Sequence, residues 1–274
     1  MIMDIRRYLP RLGGRKLYYL LKPKLELQGI KIGRDALFDY LRQYQLLVKP
    51  KRSYTRTTYS NHWLRKHPNL LSEIKPQRPE HVFVSDITYV ESDQGTHYLS
   101  LVTDACSRRI MGHELSHGMK ASDTIITLEQ AVKQREYDRP VIHHSDRGLQ
   151  YCSGLYQDML KANNMTPSMT DGYNCYQNAL AERVNSILKQ EFLIYKCKTF
   201  EELKMLVKES IDIYNRLRPH LSLGMRTPDE VHKKAGSALL DPAYAIIFRI
   251  REFALPWHIS LGERPPLFGA LSSD

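Results

Sequence analysis

From Glu80 onward the chain alternates in a way that leaves few folds open to it. Residues 82–91, 97–106 and 109–115 are three β-rich runs joined by short turns, the first punctuated by Asp93-Gln94-Gly95. Residues 121–135 then place Ile125, Ile126, Leu128 and Val132 at helical spacing. A strand over 141–145, a helix over 154–164 and a short strand over 166–170 follow, before a further amphipathic helix. The order is β-β-β-α-β-α-β-α. The expected class is α/β: a mixed five-stranded sheet flanked by helices, of the ribonuclease-H-like kind.

Three acids sit at telling places in that frame. Asp86 lies within the run 81–90, flanked by Val84, Ile87 and Val90, which puts it mid-sheet. Asp146 closes the run 139–146. Glu182 follows with thirty-five residues between it and Asp146, on a helix whose apolar stripe is Leu180, Val184, Ile187, Leu188 and Phe192. Asn178, Glu182, Asn185 and Lys189 make the opposite, polar face, so Glu182 is expected to point away from the packed stripe. A buried acid must be paired, protonated or bound to a cation. For any one of these acids alone, a structural role is the better reading. Together they fit a pair of Mg²⁺ ions, with Mn²⁺ as a substitute, and hence phosphoryl transfer on nucleic acid. His143 and His144 neighbour Asp146, yet strand histidines beside a core are more often hydrogen-bonded than metal-bound. Arg147 and Lys189 read either as phosphate contacts or as solvated surface charges.

Charge sharpens the picture. The chain of 274 residues has a net charge of +10. Residues 1–66 hold sixteen Lys+Arg against four Asp+Glu, a net of +12, and the remaining residues hold twenty-four against twenty-six, a net of −2. A local basic excess points to a polyanionic partner. Within it, Leu17, Leu20, Leu21 and Leu25 mark a helix over 15–27, Gly29 a stop, and Leu37, Tyr40 and Leu41 a second helix opening at Gly33-Arg34-Asp35 and running to Gln45. Two short basic helices about a tight turn resemble a helix-turn-helix, with a plain helical hairpin as the alternative. Residues 1–48 are thus a helical, helix-turn-helix-like region, 49–78 a basic linker, 79–235 the core with its C-terminal helices, and 236–274 an atypical tail. Cys106, Cys152, Cys175 and Cys197 are scattered, without zinc-knuckle spacing or a disulfide framework, as expected of the reducing cytosol. No membrane span and no signal peptide are expected.

The chain resembles the DDE transposases of the "IS three" insertion-sequence family, specifically their OrfB product, a group related to the retroviral integrase catalytic core. The resemblance runs from about Arg6 to about Lys234. It rests on Gly13-Gly14-Arg15-Lys16-Leu17, Ile32-Gly33-Arg34-Asp35, Ser85-Asp86-Ile87-Thr88-Tyr89, Thr103-Asp104-Ala105-Cys106-Ser107-Arg108, His144-Ser145-Asp146-Arg147-Gly148, Asn178-Ala179-Leu180-Ala181-Glu182-Arg183, Tyr214-Asn215 and Arg218-Pro219-His220 in order. It implies a ribonuclease-H-like core in which Asp86, Asp146 and Glu182 are catalytic and hold metal. It implies 3′-strand cleavage at terminal inverted repeats followed by strand transfer. The implied partners are DNA, an OrfA product or OrfA–OrfB fusion, and further copies of the chain on DNA. Arg15, Lys16, Arg34, Arg147, Asn178, Arg183 and Lys189 are the expected DNA contacts. The alternative is a catalytically defective or domesticated DNA-binding protein of the same descent. Phe83 stands where many relatives have Trp, and Gln177 where Asp or Glu is common.

Overall fold

The computed structural model describes residues 1–49, 64–72, 74–171 and 178–233. The chain divides into one compact unit, Met1–Leu239, and another, Leu240–Asp274, and all described residues belong to the first. Half of the expected linker, the loop containing Gln177 and the expected tail lie outside the described residues.

Three helices open the chain: α1 Ile2–Tyr8, α2 Gly14–Leu27 and α3 Arg34–Gln43. Leu17, Leu20 and Leu21 of α2 and Leu37 and Leu41 of α3 bury together with Ile5, Leu9 and Leu12, so the leucine spacing dictates the packing. Gly14 lets the helices approach: a Cβ there would stand 2.7 Å from the Phe38 ring. α2 ends as expected at Gly29, whose φ of +71° suits glycine. The Ile30 N–H returns to the Leu25 carbonyl at 2.9 Å. α1 has no counterpart in the expectations.

The strands are β1 Val82–Ser92, β2 Gly95–Asp104, β3 Ile110–Ser116, β4 Val141–Ser145 and β5 Met165–Met169. They form one sheet in the order β3-β2-β1-β4-β5. β1 pairs antiparallel with β2 and β2 with β3, while β4 runs parallel to both β1 and β5. The expected mixed five-stranded sheet is therefore the observed one. The crossovers are α4 Ala121–Lys133, then α5 Leu149–Cys152 with α6 Gly154–Ala162. α7 Ala179–Ile187 continues as a π-helical turn, Leu188–Phe192, and α8 Phe200–Leu217 and α9 Pro228–His232 complete the unit.

The sheet is buried on both faces, and its alternation assigns them. Phe83 and Val102 pack with Met111, Leu128, Tyr156 and Leu160 against α4 and α6. Val82 and Val84 face the other way, against Ala105 and Ala181 of α7. On that side buried polar groups fasten the later helices. Asn215 of α8 brackets one residue of β3, its Nδ2 donating to the Ile110 carbonyl at 3.0 Å and its Oδ1 accepting from the Ile110 N–H at 2.9 Å. Arg218 donates to both Glu191 oxygens at 2.9 and 2.6 Å. Tyr214-Asn215 and Arg218-Pro219-His220, quoted above as a family signature, thus hold α8 in place.

Candidate active site

β4 pairs with β1 over only three residues, Val82–Val84 against Ile142–His144. Carrying that register two residues further sets Asp86 opposite Asp146, at the point where the two strands part. Such a parting in a parallel sheet, at the carboxyl end of a strand, is where open α/β sheets place their sites. Asp86 shares a face with Val82 and Val84, so it points to the α7 side. It remains paired on its other edge, to Leu101 of β2. The central strand therefore holds it rigidly.

The three acids feel one another. Part of Asp86 is open to solvent, yet protein surrounds its carboxyl closely. Burial, then Asp146, pushes its pKa up to about 7, with Glu182 adding to the rise and a hydrogen bond from Asn185 opposing it. Glu182, exposed on α7, is raised by burial and by Asp146. Asp146 accepts the Gly148 N–H on Oδ1 at 3.0 Å. Among the described residues no three His, Cys, Asp or Glu side chains are drawn in closely enough to enclose an ion. The acids form an open set rather than a cage. Carboxylates not drawn in around an ion are still a donor set that a divalent cation fits, because Mg²⁺ takes oxygen ligands and keeps several waters.

The other expected residues divide. Arg15, Arg34 and Arg183 are exposed, Arg34 beside Asp35 at 2.8 Å, and Arg147 and Lys189 are half-buried. Lys189, in the π-helical turn, feels Asp86 and Glu91, and burial lowers its pKa. Two placements correct the expectation. Asn178 does not lie on an outward face: it is buried at 5 % exposure and its Nδ2 donates to the Ser85 carbonyl at 3.0 Å. Lys16 is turned inward to Glu191 at 3.7 Å, and burial together with Arg218 lowers its pKa to about 8. The reason is shared. Each carries a polar atom long enough to reach an interior partner, and a buried polar group is held where its hydrogen bond is.

Asn185 was read only as part of the polar face, yet its Nδ2 donates to Asp86 Oδ2 at 2.7 Å. Gly148, quoted above only within a motif, stands so close to the acid that a Cβ there would lie 3.0 Å from Asp146 Oδ1. Its presence directly after Asp146-Arg147 was the available signal. His143 is locked in the core, its Nε2 sharing hydrogen bonds with Ser85 Oγ at 2.8 Å and Tyr156 OH at 2.9 Å. Burial lowers its pKa to about 3, so it is neutral and structural.

The family described as Integrase core domain matches residues 76–175, and a second family of the same description matches residues 163–228. An "Insertion element IS600 uncharacterized 31 kDa protein" of Shigella sonnei is 35 % identical over 217 residues, covering 78 % of this chain and 80 % of that one. The "Transposase InsF for insertion sequence IS3A" of Escherichia coli (strain K12) is 33 % identical over 217 residues, covering 78 % of this chain and 75 % of that one. Among solved structures, the simian T-cell lymphotropic virus intasome in complex with PP2A regulatory subunit B56 gamma matches at a TM-score of 0.53 and 18 % identity, over 84 % of this chain and 77 % of that one, which shows the fold. A ribonuclease-H-like sheet, an integrase core domain and relatives of this extent have one meaning: the chain belongs to the IS3-family transposases, enzymes of DNA transposition and integration.

Proposed function

We propose that Asp86, Asp146 and Glu182 hold two divalent cations, Mg²⁺ with Mn²⁺ as a substitute, and that the chain cleaves the 3′ strands at its element's terminal inverted repeats and joins the freed ends to target DNA. One observation carries this reading. Carboxylates from β1, the end of β4 and α7 come close enough that Asp146 raises the pKa of both Asp86 and Glu182, a repulsion that a bound dication would remove. When bound, such ions activate the attacking oxygen and stabilise the charge on the leaving oxygen. The chain's own part is placement. Asp86 is fixed by the central strand, Asp146 by the turn at Gly148, and Glu182 stands exposed on α7, toward the approaching phosphodiester. Lys189 and Arg183 bring positive charge to that side of α7, and Arg147 brings it to the loop after β4. Arg15 and Arg34 on α2 and α3 offer the phosphate backbone a second contact. His143 supplies no base.

Two DNA ends must meet for joining, so the working form on DNA holds more than one copy of the chain. The OrfA product, or an OrfA–OrfB fusion, supplies sequence-specific binding of the repeat.

The test is direct. Purified chain is incubated with a labelled terminal repeat and Mg²⁺ or Mn²⁺, with and without OrfA, beside Asp146→Asn and Glu182→Gln. Metal-dependent nicking and joining, lost in both variants, is the expected result. Cleavage undiminished by Glu182→Gln removes that residue from the mechanism. A chain that binds the repeat but neither nicks nor joins it, with OrfA present, is a DNA-binding derivative instead.

A further inference from the structure

We propose that Asn178 and Asn185 are positioning residues: a two-amide clamp that sets α7 on β1 and so fixes where Glu182 stands relative to Asp86. The inference rests on the reading of the three acids as ion ligands and adds to it the device that spaces them.

The clamp follows from helical geometry. Asn178 and Asn185 are seven residues apart, about two turns, so they lie on one side of the helix with Glu182 between them. They grip consecutive residues of the central strand. Asn178 Nδ2 donates to the Ser85 carbonyl at 3.0 Å, and Asn185 Nδ2 donates to Asp86 Oδ2 at 2.7 Å. The same strand position is held from the opposite face, because Ser85 Oγ meets His143 Nε2, which also meets Tyr156 OH. Asp86 is thus fixed from both sides of the sheet, and α7 can slide or turn only by breaking both amide contacts. The apolar side of α7, with Ala181, Val184 and Ile187, is buried as well, and the two amides add direction to that packing.

A second feature points the same way. Both asparagines are over nine-tenths buried, and each leaves its Oδ1 without a hydrogen-bond partner among the described residues. A buried acceptor left unmet is costly. Asn185 thus carries an unmet acceptor on the same amide that touches Asp86. Residues around metal ligands that orient them in this way typically matter 10–100-fold for affinity.

The test measures Mn²⁺ binding by the full chain without DNA, by titration calorimetry and by the electron paramagnetic resonance of free Mn²⁺. The variants are Asp86→Asn, Asn178→Ala and Asn185→Ala, and thermal unfolding is recorded for each. Asp86→Asn should abolish site binding. Asn185→Ala should raise the Kd about tenfold or more, and Asn178→Ala several-fold, in chains that still unfold cooperatively. A purely structural role would lower the melting temperature and leave the Kd of the folded chain unchanged, and that result overturns the clamp. Should either Ala variant not fold, the smaller polar Asn→Ser change is read by the same two criteria. Mn²⁺ affinity untouched by Asp86→Asn would instead sink the acid-site reading itself, whatever the asparagine variants do.

Discussion

Asp86 has a consequence that stability measurements can read without any DNA. Its folded-state pKa, about 7, lies above the ordinary value of 3.8. Between those values the folded chain holds a proton that the unfolded chain has released, so stability falls as pH rises from about 4 to about 7 and is flat above. Asp86→Asn removes the titration. The variant should match the parent near pH 4 and exceed it at pH 8 by roughly 1–3 kcal/mol in metal-free buffer, as melts across that range would show. Saturating Mn²⁺ should stabilise the parent and not the variant. Gly148→Ala acts on the partner acid. A methyl 3.0 Å from Asp146 Oδ1 must displace the carboxylate, so cleavage should fall about tenfold with little change in melting temperature. At this scale the acids were legible in the sequence because strand and helix patterns flank them. The two asparagines were not. On a helical projection an amide that grips a neighbouring strand looks the same as one that faces water, and only the partner decides.

Elements were the most legible level. β-rich runs bounded by turn residues located all five strands, because a sheet buried on both faces needs apolar stretches that stand out from the turns. α1 escaped because seven residues give too few repeats of a helical pattern to register. The π-helical turn escaped because one extra residue in a single turn leaves the spacing of the apolar stripe too little changed to read. Two predictions belong here. Gly112 of β3 faces α4 so closely that a Cβ would collide with the Thr127 carbonyl and crowd the Ala131 nitrogen at 3.0 Å. Both are backbone atoms that cannot swing aside. Gly112→Ala should therefore cost about 3 kcal/mol or more in chemical denaturation, or prevent folding outright. Arg218→Met should cost about 3–5 kcal/mol, because it leaves Glu191 facing the core without its bidentate partner. The double change with Glu191→Gln should recover part of that loss, and a double variant no more stable than Arg218→Met would speak against the pairing.

The whole molecule is a question of where charge lies. The excess of +12 in residues 1–66 was plain in the sequence, but its use by the fold was not: Lys16 faces inward to Glu191, while Arg15 and Arg34 stay exposed. The basic end is therefore partly tied to the core, and composition overstates what it offers DNA. Lys189→Ala should weaken binding to duplex and lower the slope of log K against log salt by about one or less. An unaltered slope would return Lys189 to an ordinary half-buried lysine. Among the described residues no helix is long and apolar enough to cross a membrane.

The π-helical turn at Leu188–Phe192 closes with the Leu193 N–H on the Leu188 carbonyl at 2.9 Å, five residues back. It thus contains one residue more than ordinary helical winding would use. Seen as a matter of chain length, this is a place where one residue can be removed and a helix still form. An α-helical turn covers the same rotation with one residue fewer, so the residues on either side of such a cut would keep their directions. Loss of one exposed residue there, Gln190, should therefore be tolerated where loss of one residue from α7 would not be: the turn is a reserve of chain length beside the third acid.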